Sequence, residues 1–520
     1  MRAAITLPLA QIAELSTGDI VWPSGTERGA LHRLGGSGPT ITQRTSGASL
    51  PRRWTALVMA LSLLMGSCGP AETGQLTSTE ARPNVLLVVI DTLRADHCSL
   101  NGYPLNTTPF LDSLAAGGVA FETAYSPTST TCPAHASLFT SQYPMEHGVV
   151  RNGLVLPPEA QTMAEVFGAA GYETAGFVSS FPVSRHFGLE QGFSHFDDDF
   201  SRSGGTFSRR VWGGLDLADD EGFDRSAATT TDVALDWLAA APDRDRPLFL
   251  FVHYFDPHAP YRPDTDTFHE LYPSTDGMTS DDLNIASYDA EIAGTDQQLA
   301  RLVNTVREHG GPRQTLVMVT ADHGEGLWDH GWRGHDRSNY EGEVRVPLVF
   351  HWPERLPSGL RVEHPAHLID VLPTVNALLD LGADSRGHGG QDLVPHLLGS
   401  AAPDLQRPLF MQRPWFPSGR DKFDQLGPGY ALRSGPWKLF MAMEEDRHEL
   451  FDLSADPAEQ HDVINREPQV AGRLGELLME MVAHQQSRAA LDATEVGAED
   501  TAILRAMGYV GSADEGQDER

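Results

Sequence analysis

Four separated stretches of the chain deliver residues that can bind a metal or move a proton: Asp91 in "VVIDTLRADH", Thr131 in "TTCPAHASLFTSQYP", His253, Asp256 and His258 in "FLFVHYFDPHAPY", and Asp322 with His323 in "VMVTADHGEG". Carboxylates, imidazoles and a hydroxyl are the hard and borderline ligands that Mg, Ca, Mn or Zn prefer. Singly, each has a plain structural reading. An Asp after a strand often caps the next helix, and Thr131 suits the same role before a helix starting near Ala134. Cys132 adds a thiol as a second candidate nucleophile in the same stretch. The convergence of several such residues on one place is what points to chemistry.

The elements around them say where that place is. Asn84 to Ile90 is a near-continuous apolar, β-branched run, the pattern of a parallel strand buried on both faces, and it ends at Asp91. Similar runs recur in "ETAGFVSS", "PLFLFVHYFD" and "TLVMVTADHG". Between them lie helical stretches such as "TPFLDSLAAGGV", "TMAEVFGAAG" and "DAEIAGTDQQLARLVNTVREHG". Alternating strands and helices imply an α/β fold, a mostly parallel sheet sandwiched by helices. In such sheets ligands bind beyond the carboxyl ends of the strands, where all four stretches deliver their polar residues.

Composition limits the partners. A net charge of −33, from 38 basic and 71 acidic side chains, excludes a nucleic-acid footprint, because no basic stripe offsets it locally. Three cysteines, Cys68, Cys98 and Cys132, make no disulfide framework and no zinc knuckle. Residues 1–50 show no sustained period and read as an unstructured leader or a misassigned start. After Arg52 and Arg53, "WTALVMALSLLM" is an apolar run of signal-peptide length, short of the ~20 residues a membrane span needs. It ends in "GSC", which resembles a bacterial lipoprotein box with Met65 where Leu is usual. The segment 51–68 is then a signal peptide lipidated at Cys68, or an ordinary secretory signal with an incidental Cys. Either way the chain is expected to be exported, periplasmic or at the cell surface, with a polar linker at 69–82 and membrane attachment through the lipid only.

Taken together, "NVLLVVIDTLRADHCSLNGY", "CPAHASLFTSQYP", "FVHYFDPHAPY", "TADHGEGLWDHG", "NYEGEVRVPLVF" and "LIDVLPTV" resemble, in order, the motifs of the sulfatase family within the alkaline phosphatase superfamily. The resemblance implies a catalytic domain over 83–405, a small C-terminal antiparallel α+β subdomain over 406–480 and a tail over 481–520, where "LRAMGYV" is similar to the ends of relatives. Lys438 and Asp452, in the subdomain's strands, are expected to be structural.

The family's signature is Cys or Ser, any residue, Pro, any residue, Arg. Pro133 sets the register, which places Thr131 at the nucleophile position and His135 where Arg is usual, with Cys132 one residue off. Thr is not a substrate for the oxidation to formylglycine that typical sulfatases use, so the resemblance implies a plain hydroxyl, activated by a metal. It further implies a metal site of Asp91, Thr131, Asp322 and His323, with Thr92 standing where many relatives have a second Asp. His258 and His335 match substrate-binding positions, or with Asp256 could hold a second metal. The "GKWHLG" segment is missing after "GYETAGFVSSFPVS", so anion binding would rest on metal, His135, His335 and Arg94. N–H groups at the start of the Thr131 helix are expected to add donors. A bond between Cys98 and Cys132 is open.

Three functions are consistent with these residues. The first is an exported metal-dependent hydrolase of sulfuric, phosphoric or phosphonic esters, acting on a small-molecule, glycan or lipid ester. The second is a phosphodiesterase or a transferase of phosphoethanolamine or phosphoglycerol groups, and the third is a noncatalytic binder with the same fold. Intact Asp91, Thr131, Asp322 and His323 favour catalysis over binding. A Thr ester must be cleaved by water at sulfur or phosphorus, a step that favours phosphoryl groups.

Overall fold

The computed structural model describes residues 82–202, 222–240, 245–384, 389–414, 427–489, 491–507 and 509. The leader, the signal segment with Cys68 and all but the last residue of the expected linker lie outside the described residues. Among the described residues no helix is long and apolar enough to cross a membrane.

The main sheet has eight strands: β1 (Asn84–Ile90), β2 (Val119–Phe121), β3 (Glu173–Phe177), β4 (His195–Asp197), β5 (Leu248–Tyr254), β6 (Thr315–Thr320), β7 (Leu348–His351) and β8 (Leu360–Val362). Their order is β8-β2-β7-β6-β1-β5-β3-β4. Only β7 runs against its neighbours; the other pairings are parallel. Every residue of β1, β5 and β6 is buried, which is why these strands read as unbroken apolar runs. Around the sheet lie α1 (Pro109–Ala116), α2 (Thr131–Thr140), α3 (Met163–Ala169), α4 (Ala227–Ala239), α5 (Ser280–Gly310) and α6 (Val371–Leu379). Strand register aligns Val89 of β1 with His253 of β5 and with Thr320 of β6, so Asp91, His253 and Asp322 emerge at one edge.

A second sheet of four antiparallel strands follows: β9 (Leu409–Gln412), β10 (Gly429–Ser434), β11 (Trp437–Ala442) and β12 (Arg447–Asp452). Helix α7 (Pro468–Arg488) packs on it through Leu474, Leu478 and Val482, an i, i+4 stripe against Leu432, Leu439 and Leu450. Lys438 is buried between Glu341 at 2.9 Å and Glu459 at 3.0 Å, and Asp452 accepts from Ser454 in the following turn. Both roles are structural, as expected.

The chain then returns to the catalytic domain, where it joins a separate two-stranded sheet. Thr494 and Glu495 pair antiparallel with Val155 and Leu154, and α8 (Ala498–Ala506) sends Leu504, Met507 and Tyr509 into the core around β1.

Candidate active site

Asp91 is fully buried at the end of β1, and neither of its carboxylate oxygens has a hydrogen-bond partner. Asp322, two residues beyond β6, accepts from the Thr92 N–H at 3.3 Å and the His323 N–H at 2.8 Å through Oδ1, while Oδ2 has no partner. Three orphaned carboxylate oxygens in a dry place are unstable as charges. Burial, and for Asp322 the neighbouring Asp91, accordingly hold both carboxyls well above the usual range. The Thr92 N–H reaches Asp322 because Thr92 adopts φ 56°, a left-handed conformation that a β-branched residue rarely takes.

His323 completes the group. Its Nδ1–H donates to the Gly324 carbonyl at 2.8 Å, leaving the Nε2 lone pair facing Asp91 at 3.7 Å and Asp322 at 3.4 Å. Burial first, then His335, keeps this ring neutral. Gly324 is required here, since a Cβ would stand 2.1 Å from the Gly342 carbonyl oxygen. Asp91, Asp322 and His323 each offer one ligand atom within 4.8 Å of the others, the one such group among the described residues. Unpartnered carboxylate oxygens beside an available imidazole lone pair fit a divalent cation.

Thr131 begins α2, and its hydroxyl stands 3.2 Å from His323 Nε2. Thr130, not Thr131, is the N-cap residue. Cys132 points elsewhere: its Sγ–H meets the Leu154 carbonyl at 3.7 Å, and burial pushes the thiol far up. Cys98 and Cys132 are both free and buried, so no bond links them.

Two expectations about anion binding are corrected. The start of α2 offers few N–H donors: the Cys132 N–H is taken by Asn152 Oδ1 at 2.9 Å, Pro133 has none, and Ala134 donates to Thr130 at 3.0 Å. Arg94 is committed to Asp96 at 2.7 Å and Asp329 at 2.5 Å. The structure brings His135 to the carboxylates, 3.7 Å from Asp322 Oδ2, with Nδ1 on the carbonyl of Thr131. Burial and His253 hold it well below its usual pKa, so it brings no positive charge.

On the opposite side, His258 and His335 meet with their Nε2 atoms 3.0 Å apart. His258 Nδ1–H donates to the Ala259 carbonyl at 2.6 Å, and His335 Nδ1 faces the Ser129 carbonyl at 3.2 Å and Asp336 at 3.1 Å. Two lone pairs cannot face each other this closely, so a proton lies between them. Asp256 does not join them: its carboxylate accepts from the Ala227 N–H at the start of α4, which removes it from any second metal set with this pair.

Some of the residues lining the site were without a role in the sequence reading. His253 accepts from the Ser179 N–H at 3.4 Å, which directs Nε2–H toward Asp91 Oδ2 at 3.5 Å. Glu325 is buried with Oε1 unpartnered, and its charge helps raise Asp91. The Tyr509 hydroxyl lies 3.0 Å from His258 Nε2, and "LRAMGYV" was its one signal in the sequence.

Comparison with known proteins follows this geometry. The Sulfatase family model matches residues 83–381, and the model for N-sulphoglucosamine sulphohydrolase, C-terminal, matches residues 328–487. Arylsulfatase A of Homo sapiens is 27% identical over 474 residues, covering 79% of this chain and 88% of that protein. The ulvan-active sulfatase of Formosa agariphila is 25% identical over 442 residues, covering 79% and 82%. In fold, the phosphonate monoester hydrolase of Agrobacterium radiobacter superposes with a TM-score of 0.61 at 24% identity, covering 78% of this chain and 96% of that one.

Proposed function

The chain belongs to the sulfatase family, and on that premise we propose that it is an exported, metal-dependent hydrolase that cleaves sulfuric, phosphoric or phosphonic esters through Thr131. The observation that carries this reading is the Thr131 hydroxyl at 3.2 Å from His323 Nε2, beside the orphaned oxygens of Asp91 and Asp322. Asp91, Asp322, His323 and Thr131 would hold the ion, of which one site is needed. When bound, a divalent ion supplies positive charge that lowers the pKa of the hydroxyl and offsets the anionic ester.

The chain's own residues then account for the bonds. Thr131 gives its hydroxyl proton to water, its Oγ1 attacks the sulfur or phosphorus, and the bond to the leaving oxygen breaks. That oxygen takes the proton held between His258 and His335. Water next attacks the Thr131 ester, passing a proton back to the same pair, the bond from Oγ1 to sulfur or phosphorus breaks, and Oγ1 regains from solvent the proton it first gave up, which releases the acid and restores the hydroxyl. His135 and His253 line the carboxylates, 3.7 Å from Asp322 and 3.5 Å from Asp91. Because the Thr ester opens only by attack at sulfur or phosphorus, phosphoryl esters are the favoured class.

A paired assay tests this: aryl sulfate, aryl phosphodiester and aryl phosphonate monoester, each with Ca, Mg, Mn or Zn supplied singly. The expected result is metal-dependent turnover with phosphoryl esters ahead of sulfate. A protein that takes up metal and turns over none of the three would instead be the noncatalytic binder.

Export rests on Arg52, Arg53 and the apolar run before Cys68. Cys68→Ser is expected to move the protein from the membrane fraction to the soluble one with turnover unchanged. Membrane partitioning that survives the substitution would remove the lipid anchor from this account.

A further inference from the structure

The Thr131 reading leaves an anionic ester short of donors. His135 is neutral, Arg94 is committed, and the N–H groups of Cys132 and Ala134 are used. The structure places one further donor there, from the far end of the chain. Tyr509 is 3% exposed, with its hydroxyl 3.0 Å from His258 Nε2. Its ring centroid lies 5.7 Å from that of His258 and 6.0 Å from that of His335.

The segment that brings it is anchored at several points. Thr494 and Glu495 pair with Val155 and Leu154, and the Val496 N–H donates to Gly153 at 3.1 Å. Arg151 meets Glu495 at 2.6 Å, and His186 meets Asp500 at 3.0 Å. Leu504 is fully buried, and the Tyr509 N–H donates back to its carbonyl at 2.9 Å. These anchors fall on residues 151–155 and 186, and Asn152 and Leu154 are also the partners of Cys132. The tail and the nucleophile helix therefore share one support.

We propose that Tyr509 is a catalytic residue whose hydroxyl donates a hydrogen bond to a non-bridging oxygen of the ester group being transferred to Thr131. A hydroxyl 3.0 Å from the leaving-group histidine, on a ring packed beside both His258 and His335, stands against the space the transferred group must enter. In the transition state the three non-bridging oxygens spread into the equatorial plane and share the charge of the transferring group, and a fixed donor in a dry site aimed at one of those positions stabilises that state more than the bound substrate. The inference rests on the Thr131 reading.

Tyr509→Phe keeps the ring and removes only the hydroxyl. The expected result is a fall in kcat of roughly 10²-fold with a much smaller change in KM, while melting temperature and metal content stay at the wild-type values. Binding of orthovanadate to the metal-loaded protein, followed by calorimetry, should weaken as well, and that measurement stands even if no ester is turned over. Unchanged kcat and unchanged vanadate affinity would reduce Tyr509 to packing. Faster turnover would identify it as a stopper that substrate displaces, which also overturns the proposal. Wild-type protein inactive on every ester would count against the Thr131 reading instead.

Discussion

Thr131→Ala is expected to lower kcat by roughly 10⁴-fold or more while the fold persists and Asp91, Asp322 and His323 still take up metal. The hydroxyl is the group nearest His323 Nε2, and it sits at the first residue of α2, where a methyl can replace it without breaking a helix bond. Thr131→Ser should keep part of the activity, because the attacking oxygen remains and only a methyl contact is lost. Cys132→Ala should act on stability rather than rate. Its thiol is fully buried against Leu154, so truncation leaves a small void worth about 1 kcal/mol. Steady-state kinetics on the three variants, with peptide mass analysis of residues 130–144, decides the point. Formylglycine at Cys132, or full activity in Thr131→Ala, would falsify the assignment.

Asp322→Asn is expected to cost at least about 10²-fold in both metal affinity and rate, with chelation silencing the wild type in the same way. It should also change stability in a direction that a structural role would not. In the metal-free protein Asp91 and Asp322 are buried beside each other with raised pKa values. A carboxyl whose folded pKa lies above its unfolded one contributes stability that is complete below the unfolded value and is lost as pH rises through the folded value. Metal-free wild type should therefore melt lower in alkaline than in mildly acidic buffer, and Asp322→Asn should flatten that slope. Adding metal should reverse the ranking, since an ion at 100 times its Kd stabilises the wild type by about 2.7 kcal/mol and the variant by far less. A wild type that keeps full turnover after exhaustive chelation would remove the metal from the mechanism.

The central strands and the residues at their ends were legible in the sequence for one reason. A parallel strand covered on both faces must be apolar throughout, so β1 and β6 stand out, and Asp91 and Asp322 mark where each run stops. Motif order then placed Thr131 and His323 against them without any knowledge of distance. The surroundings were decided only by tertiary packing. Asp256 lies two residues from His258, yet its carboxylate is taken by the start of α4. Asn152 takes the Cys132 N–H at the start of the helix, and Asp96 and Asp329 hold Arg94. His258 and His335 face each other, and Tyr509 reaches His258, across separations that no local pattern encodes. A local apolar period records which face of an element is buried. Which polar group a buried side chain meets depends on how distant elements pack, and that information exists only once the chain has folded.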